Sequence, residues 1–177
     1  MKEDRRRSYF LVGFMGVGKT TIGRGLAKQL ELPFYDLDEL LERRSGKTIV
    51  EIFETEGEKV FRALETQILR HVAKKSAAVV ATGGGIFIKA ENRDIIRSSG
   101  VSIWLDAPFD VILARSRGSN RPLWDSVERA KNLLEKRVPY YRQADIRFET
   151  KNLNHEEAAG QLTRMLRSHS GHEILNT

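Results

Sequence analysis

The sequence predicts a three-layer α/β fold with a parallel sheet, and three observations carry that prediction. Five short apolar runs alternate with segments of helical periodicity. One run, 77–81, is apolar throughout, as a strand covered on both faces must be. A glycine-rich turn joins the first run to the first helical segment, and ligands gather at such strand-to-helix ends.

Taken in order, residues 8–14 read as a strand, and 20–30 as a helix in which Ile22, Leu26 and Leu30 share a face. After Pro33, residues 34–36 form a second short strand; 37–44 is a short helix stopped at Gly46, and 48–53 another. Val60, Leu64, Ile68 and Val72 align along a helix over 59–73. The strand at 77–81 ends at Thr82-Gly83-Gly84-Gly85. Helix 92–98 leads to strand 101–105, and Pro108 opens a helix through Arg115. Residues 116–121 have almost no apolar anchor and read as a mobile loop. A helix over 125–138, a strand over 145–148 and a helix over 155–166 complete the alternation, with a frayed tail from Ser168. Gly23 and Gly25 weaken their helix, so they imply close packing of that helix on its sheet.

With 177 residues the chain fits one domain of ordinary size. Apolar residues at 40% and charged residues at 31% are a globular balance and argue against disorder. The lack of cysteine excludes disulfides, a thiolate nucleophile and cysteine-ligated metals. A net charge of +6 suits an anionic small molecule as well as nucleic acid. The apolar runs fall far short of the roughly 18 residues of a membrane span, and the basic start through Arg5-Arg6-Arg7 does not lead into a secretory signal, so a cytoplasmic protein is expected.

Gly13-Phe14-Met15-Gly16-Val17-Gly18-Lys19-Thr20 satisfies G-x-x-x-x-G-K-T in the strand–turn–helix context that its chemistry needs. Glycines let successive N–H groups of the loop, through Gly16, Val17, Gly18 and on to Thr21, converge on phosphates. The helix start adds its dipole, Lys19 a point charge and Thr20 a hydroxyl for Mg²⁺. A nucleoside triphosphate such as ATP follows. The alternative is a structural turn. No Asn-Lys-x-Asp run is present to read guanine.

Asp36 and Asp38 close the second strand, where one carboxylate can hold Mg²⁺ and the other can orient an acceptor hydroxyl. The alternative is that Asp38 merely caps the following helix. Arg62, Arg115, Arg117, Arg121 and Arg137 fall in segments expected near the same crevice, though most arginines on helices are solvated. Arg121, beside Pro122, suits a lid that closes over the phosphates.

These motifs together resemble the shikimate kinase family. The supporting pieces run in order from residue 8 to 148: 11–30 around the phosphate loop, 34–65 with Asp36-x-Asp38 and Phe61-Arg62, 79–85 with the three glycines, Trp104-Leu105, 115–124, and Lys136-Arg137 within 136–145. The resemblance implies a P-loop kinase fold of the nucleoside monophosphate kinase type. That means a five-stranded parallel sheet in the order 2-3-1-4-5, one domain over 1–177, a substrate segment near 37–65 and a lid near 116–123. It implies transfer of the γ-phosphoryl group of ATP to the 3-hydroxyl of shikimate, on the route to chorismate and the aromatic amino acids. Arg62 and Arg137 are then expected on the substrate carboxylate, with Gly83, Gly84 and Gly85 in backbone contact, Asp38 on the ring hydroxyls, and Phe53 and Phe61 along the ring. Asp36 and Thr20 are expected at Mg²⁺, Lys19 and Arg121 on the moving phosphate, and Arg115 against adenine.

Two departures stand out. The loop Lys151-Asn152-Leu153-Asn154 lacks the arginine that the family often places over adenine, and Trp124 stands where a smaller aliphatic residue is common. The nearest rival is a gluconate or nucleoside monophosphate kinase of the same fold. A rival of another class is an ATP-dependent binding protein without catalysis. Nucleic-acid and membrane partners are not expected, a monomer is, and His71, His155, His169 and His172 read as surface or tail residues rather than metal ligands.

Overall fold

The computed structural model describes residues 7–75, 77–116 and 126–172. Its strands are β1 (Ser8–Val12), β2 (Phe34–Asp36), β3 (Val79–Ala81), β4 (Gly100–Asp106) and β5 (Ile146–Glu149). Its helices are α1 (Lys19–Leu30), α2 (Leu37–Ser45), α3 (Ile49–Thr55), α4 (Gly57–Ala73), α5 (Ala90–Ser99), α6 (Phe109–Ser116), α7 (Val127–Tyr141) and α8 (His155–His172). Every strand pair is parallel, in the order β2-β3-β1-β4-β5, as expected. The central strand β1 pairs Leu11 with Ala81 on one side and Val12 with Trp104 on the other. The carboxyl ends of β1, β2 and β3 therefore lie side by side, and the phosphate loop, the acidic pair and the three glycines leave the sheet together.

Local chemistry explains where the boundaries differ from expectation. β1 stops at Val12 rather than at 14, because Gly13 turns out of the strand with φ near 140°. A capping box between Thr48 and Glu51 starts α3, with Thr48 as cap rather than first helical residue, and α3 runs to Thr55. α7 passes through Pro139, where residue 138 was expected to end it. Proline costs most in a helix interior; here the last turn is closed by Arg142 N–H on the Val138 carbonyl and anchored by the fully buried Tyr141. α8 is helical past Ser168 to His172, longer than the expected 155–166. The short 3₁₀ turn Ile86–Ile88 has no sequence periodicity long enough to announce it. Strand β5 begins at Ile146; Asp145 instead accepts from the Ser102 N–H at 2.8 Å and hydroxyl at 2.6 Å, tying β5 to β4.

The core is built from Phe10, Leu11, Val12, Val79, Val80, Ile103 and Leu105 of the sheet, with Ile22, Leu26, Leu69, Ile96 and Leu162 of the flanking helices. The two glycines of α1 pack as anticipated: a Cβ on Gly23 would lie 2.7 Å from the Phe34 ring, and one on Gly25 would lie 2.9 Å from the Ala159 Cβ on α8. No described helix is long and apolar enough to cross a membrane. The expected mobile loop at 116–121 falls, from residue 117 onward, outside the described residues.

Candidate active site

A cavity of about 660 Å³ opens at the carboxyl ends of β1, β2 and β3. The phosphate loop forms one end. Gly16 and Gly18 hold φ of 79° and 107°, a region that only glycine enters freely, so the backbone can curl into a cradle ahead of α1. Lys19 folds back across that cradle, its ammonium donating to the carbonyls of Gly13 and Phe14 at 2.9 Å each. Thr20 and Thr21 line the cavity beside it, whereas Val17 is fully buried beneath the loop.

The two aspartates take different work. Asp36, not Asp38, is the cap of α2: its Oδ1 accepts from the backbone N–H groups of Asp38 at 3.0 Å and Glu39 at 3.4 Å. Its other oxygen, Oδ2, accepts from the Thr20 hydroxyl at 2.6 Å, which pins the acidic end of β2 to the phosphate loop. Asp38 reaches the opposite way, where its Oδ1 would lie 3.0 Å from a Cβ on Gly83. Both face the same cavity, one toward the phosphates' end and one toward the glycine run.

That pairing sets the fit for a divalent cation. Thr20 Oγ1 and Asp36 Oδ2 are hard oxygens in contact at the mouth of the cradle. Among the described residues no three His, Asp or Glu side chains converge on a cation. Two hard oxygens beside a phosphate cradle suit Mg²⁺, which keeps most of its water and takes one or two protein oxygens alongside phosphate.

At the far end stand the two arginines. Arg137 is only 5% exposed, and its Nε and Nη1 find no partner among the described residues, so a buried guanidinium presents donors beside Gly84, 3.3 Å from the position of a Cβ there. Arg62 is held in place by Glu65 at 2.6 Å and Glu58 at 3.2 Å, with its guanidinium carbon 5.0 Å over the Phe61 ring. A Cβ on Gly85 would meet Arg62 Nη1 at 2.5 Å, so the last glycine exists to admit that side chain. Phe53 and Phe61 stand together at 4.6 Å between ring centres and give the cavity an apolar wall.

Three residues here escaped the sequence reading. Glu65 is 2% exposed; burial pushes its carboxyl up to about 7, in spite of the attraction of Arg62, and Asp38 adds to the rise. Its Oε1 has no partner among the described residues and would lie 2.5 Å from a Cβ on Gly83. Tyr141 donates to the Gly84 carbonyl at 2.5 Å, and burial pushes its phenol up to about 12. His155 was expected at the surface but lines the cavity: its buried Nε2 would lie 2.9 Å from a Cβ on Gly18. Burial and the neighbouring Arg115 charge hold that imidazole below its ordinary pKa. Only the Glu65 position, three residues after Arg62 on one helix face, left a local signal.

Arg115 also does more than lie in the cavity wall. Its guanidinium donates to the carbonyls of Val17, Thr150 and Leu153 and to the Thr150 hydroxyl, between 2.9 and 3.1 Å. It clamps the loop after β5 onto the phosphate loop, which fixes the arginine-free stretch 151–154 and sets His155 beside Gly18. Arg117, Arg121, Pro122 and Trp124 lie outside the described residues.

A phosphate cradle, a hydroxyl–carboxylate pair for a cation and an arginine-lined apolar pocket on one parallel sheet define a phosphate-loop kinase acting on a small anionic acceptor. The family model for shikimate kinase matches residues 15–167. A shikimate kinase of Bartonella quintana is 39% identical over 96% of this chain and 82% of its own length. The solved shikimate kinase of Acinetobacter baumannii, in complex with shikimate, superposes with a TM-score of 0.87 at 38% identity, covering 92% of this chain and 94% of that one. The chain belongs to the shikimate kinase family. A gluconokinase from Sinorhizobium meliloti shares the fold at a TM-score of 0.57 and 16% identity, a likeness of fold alone.

Proposed function

We infer that this chain transfers the γ-phosphoryl group of ATP to the 3-hydroxyl of shikimate, giving shikimate 3-phosphate and ADP. The observation that carries the choice of acceptor is Arg137: a guanidinium 95% removed from solvent, with two nitrogens that find no partner among the described residues, offers its donors to an anion. A carboxylate seated between Arg137 and Arg62 supplies that anion through charge-assisted hydrogen bonds. The ring then lies along Phe53 and Phe61, its hydroxyls meet Asp38, and the backbone of Gly83, Gly84 and Gly85 can approach it closely because no Cβ intervenes. Neither gluconate, which lacks a ring, nor a nucleotide uses the arginines and the apolar wall in this way.

The residues divide the reaction between them. N–H groups from Gly16 to Thr21 hold the phosphates, and Lys19 neutralises charge that shifts toward the β–γ bridge as the phosphoryl group leaves. Asp38 orients the attacking hydroxyl for in-line displacement, in which the new O–P bond forms as the bond to ADP breaks. Thr20 and Asp36 would hold Mg²⁺, which supplies further charge neutralisation at the phosphates. Arg115 and His155 form the wall for adenine, with the imidazole replacing the arginine missing from 151–154. Residues 37–65 serve as the substrate segment and 116–123, with Arg121, as the lid. One chain lines the whole cavity, which supports a monomer; a cytoplasmic setting, where ATP is plentiful, belongs to the same reading.

The test is Arg137→Met assayed for ADP release with ATP, Mg²⁺ and shikimate. Loss of a buried charged pair predicts a rise of 100-fold or more in the KM for shikimate, at about 3 kcal/mol, with the KM for ATP unmoved. An unchanged shikimate KM would remove the basis for this acceptor.

A further inference from the structure

A second cavity, of about 630 Å³, adjoins the first and shares Arg62, Gly85 and Arg137 with it, but it has no part of the phosphate loop. Its charged wall is cationic: Arg62, Lys89, Lys136 and Arg137 face a single carboxylate, Glu58. Two of these cations are committed elsewhere. Lys89 pairs with Glu91 at 2.5 Å, and Arg62 with Glu58 and Glu65. Lys136 has no hydrogen-bond or ion-pair partner among the described residues, and Arg137 has two unfilled nitrogens while the acceptor's carboxylate needs only part of its fork. The remaining wall is apolar, from Ile88, Leu133 and the Tyr140 ring. One more group is unusual. Asn92 is 2% exposed; its amide N–H donates to the Ile86 carbonyl at 2.9 Å, leaving Oδ1 buried without a donor among the described residues.

An unpaired lysine, an unfilled guanidinium, a flat apolar wall and a lone buried acceptor are complementary to one chemistry. We propose that this second cavity binds a small cyclic carboxylate bearing a ring hydroxyl. Its carboxylate sits on Lys136 and the outer side of Arg137, its ring lies on Ile88, Leu133 and Tyr140, and its hydroxyl donates to Asn92 Oδ1. Because Arg137 belongs to both cavities, occupancy of the second draws guanidinium donors from the first. Binding at either site therefore weakens the other by the same factor. The result is partial inhibition: the KM for the acceptor rises to a plateau, whereas simple competition raises it without limit. The coupling rests on the reading of Arg137 as part of the acceptor site; the second cavity itself does not.

The probe is 4-hydroxybenzoate, used with the full chain. Calorimetry reads its binding without acceptor, and the ADP-release assay reads the shikimate KM against increasing probe. We expect binding that weakens at least tenfold in Lys136→Glu, a saturating rise in KM, and unchanged kcat and KM for the neutral variant Lys136→Met when the probe is absent. Lys136 is exposed, so the variant folds; Lys136→Met separates loss of charge from charge reversal and is expected to weaken binding in the same direction. No heat of binding at 10 mM probe, equal affinity in the lysine variants, or a KM that climbs without a plateau would each overturn the proposal. Should shikimate itself fail to turn over, the calorimetric comparison still decides whether the cavity binds the probe.

Discussion

Replacing Gly85 by alanine tests the acceptor clamp without touching any side chain now in it. The backbone at Gly85 has φ of −103° and ψ of −8°, which alanine adopts without strain, so the effect comes from space alone. The new Cβ would sit 2.5 Å from Arg62 Nη1 and 2.8 Å from Nη2, against an ordinary contact of 3.4 Å, so the guanidinium must retreat by about 0.9 Å. The tip is the end of a flexible chain and can move, but it carries Glu65 with it and leaves the geometry a carboxylate needs. Losing one charge-assisted pair costs about 1.5–3 kcal/mol, or roughly 10- to 150-fold in kcat/KM for shikimate. A misplacement near 1 Å is known to cost about 100-fold where orientation matters, which falls in the same range. Steady-state kinetics with shikimate and with ATP varied in turn, together with a melting curve, make the assay. A change within twofold in kcat/KM for shikimate, with the protein folded, would refute the placement of Arg62 at the acceptor.

Other changes probe other parts. Glu65 holds its proton up to about pH 7, against an ordinary carboxyl near 4.5, so the stability tied to its neutral form is complete below 4.5 and is lost as pH rises through 7. That loss is on the order of 3 kcal/mol, and Glu65→Gln is expected to flatten the fall of Tm between pH 5 and 8; an identical pH profile in both proteins would contradict it. Asp36→Ala removes a helix cap and the anchor of Thr20, so a loss of about 1–2 kcal/mol in urea unfolding is expected, together with a higher Mg²⁺ requirement in turnover. Tyr141→Phe removes the donor to the half-buried Gly84 carbonyl and should cost about 0.5–1.5 kcal/mol in the same unfolding experiment. His155→Ala should raise the KM for ATP while leaving that for shikimate alone, measured with each substrate varied in turn.

The strands were legible because each carries its own signal: Val79–Ala81 is buried on both faces, and the glycine loop follows the first apolar run directly; their order in the sheet came only from the family resemblance. The phosphate-binding end was legible for the same reason, since its residues are consecutive. What the sequence hid are contacts between distant segments. Nothing near His155 shows that Arg115 folds the loop after β5 onto the phosphate loop, or that Tyr141 on α7 reaches the Gly84 carbonyl. The aspartate pair was found, yet its capping role went to the wrong member, because a cap depends on where the strand ends to within one residue. The helix expected over 125–138 continues through Pro139, because the burial of Tyr141 two residues on outweighs the cost of proline there.

The central claim is the acceptor, and one measurement reaches it most directly. ADP release with ATP and Mg²⁺ is followed with shikimate, quinate, gluconate and nucleoside monophosphates in turn, and the product mass is recorded. The account predicts strong turnover with shikimate alone and a product heavier by one phosphoryl group. Turnover of gluconate or a nucleotide with shikimate inert would leave the phosphate loop's role intact and contradict the assignment of Arg62, Arg137 and Asp38.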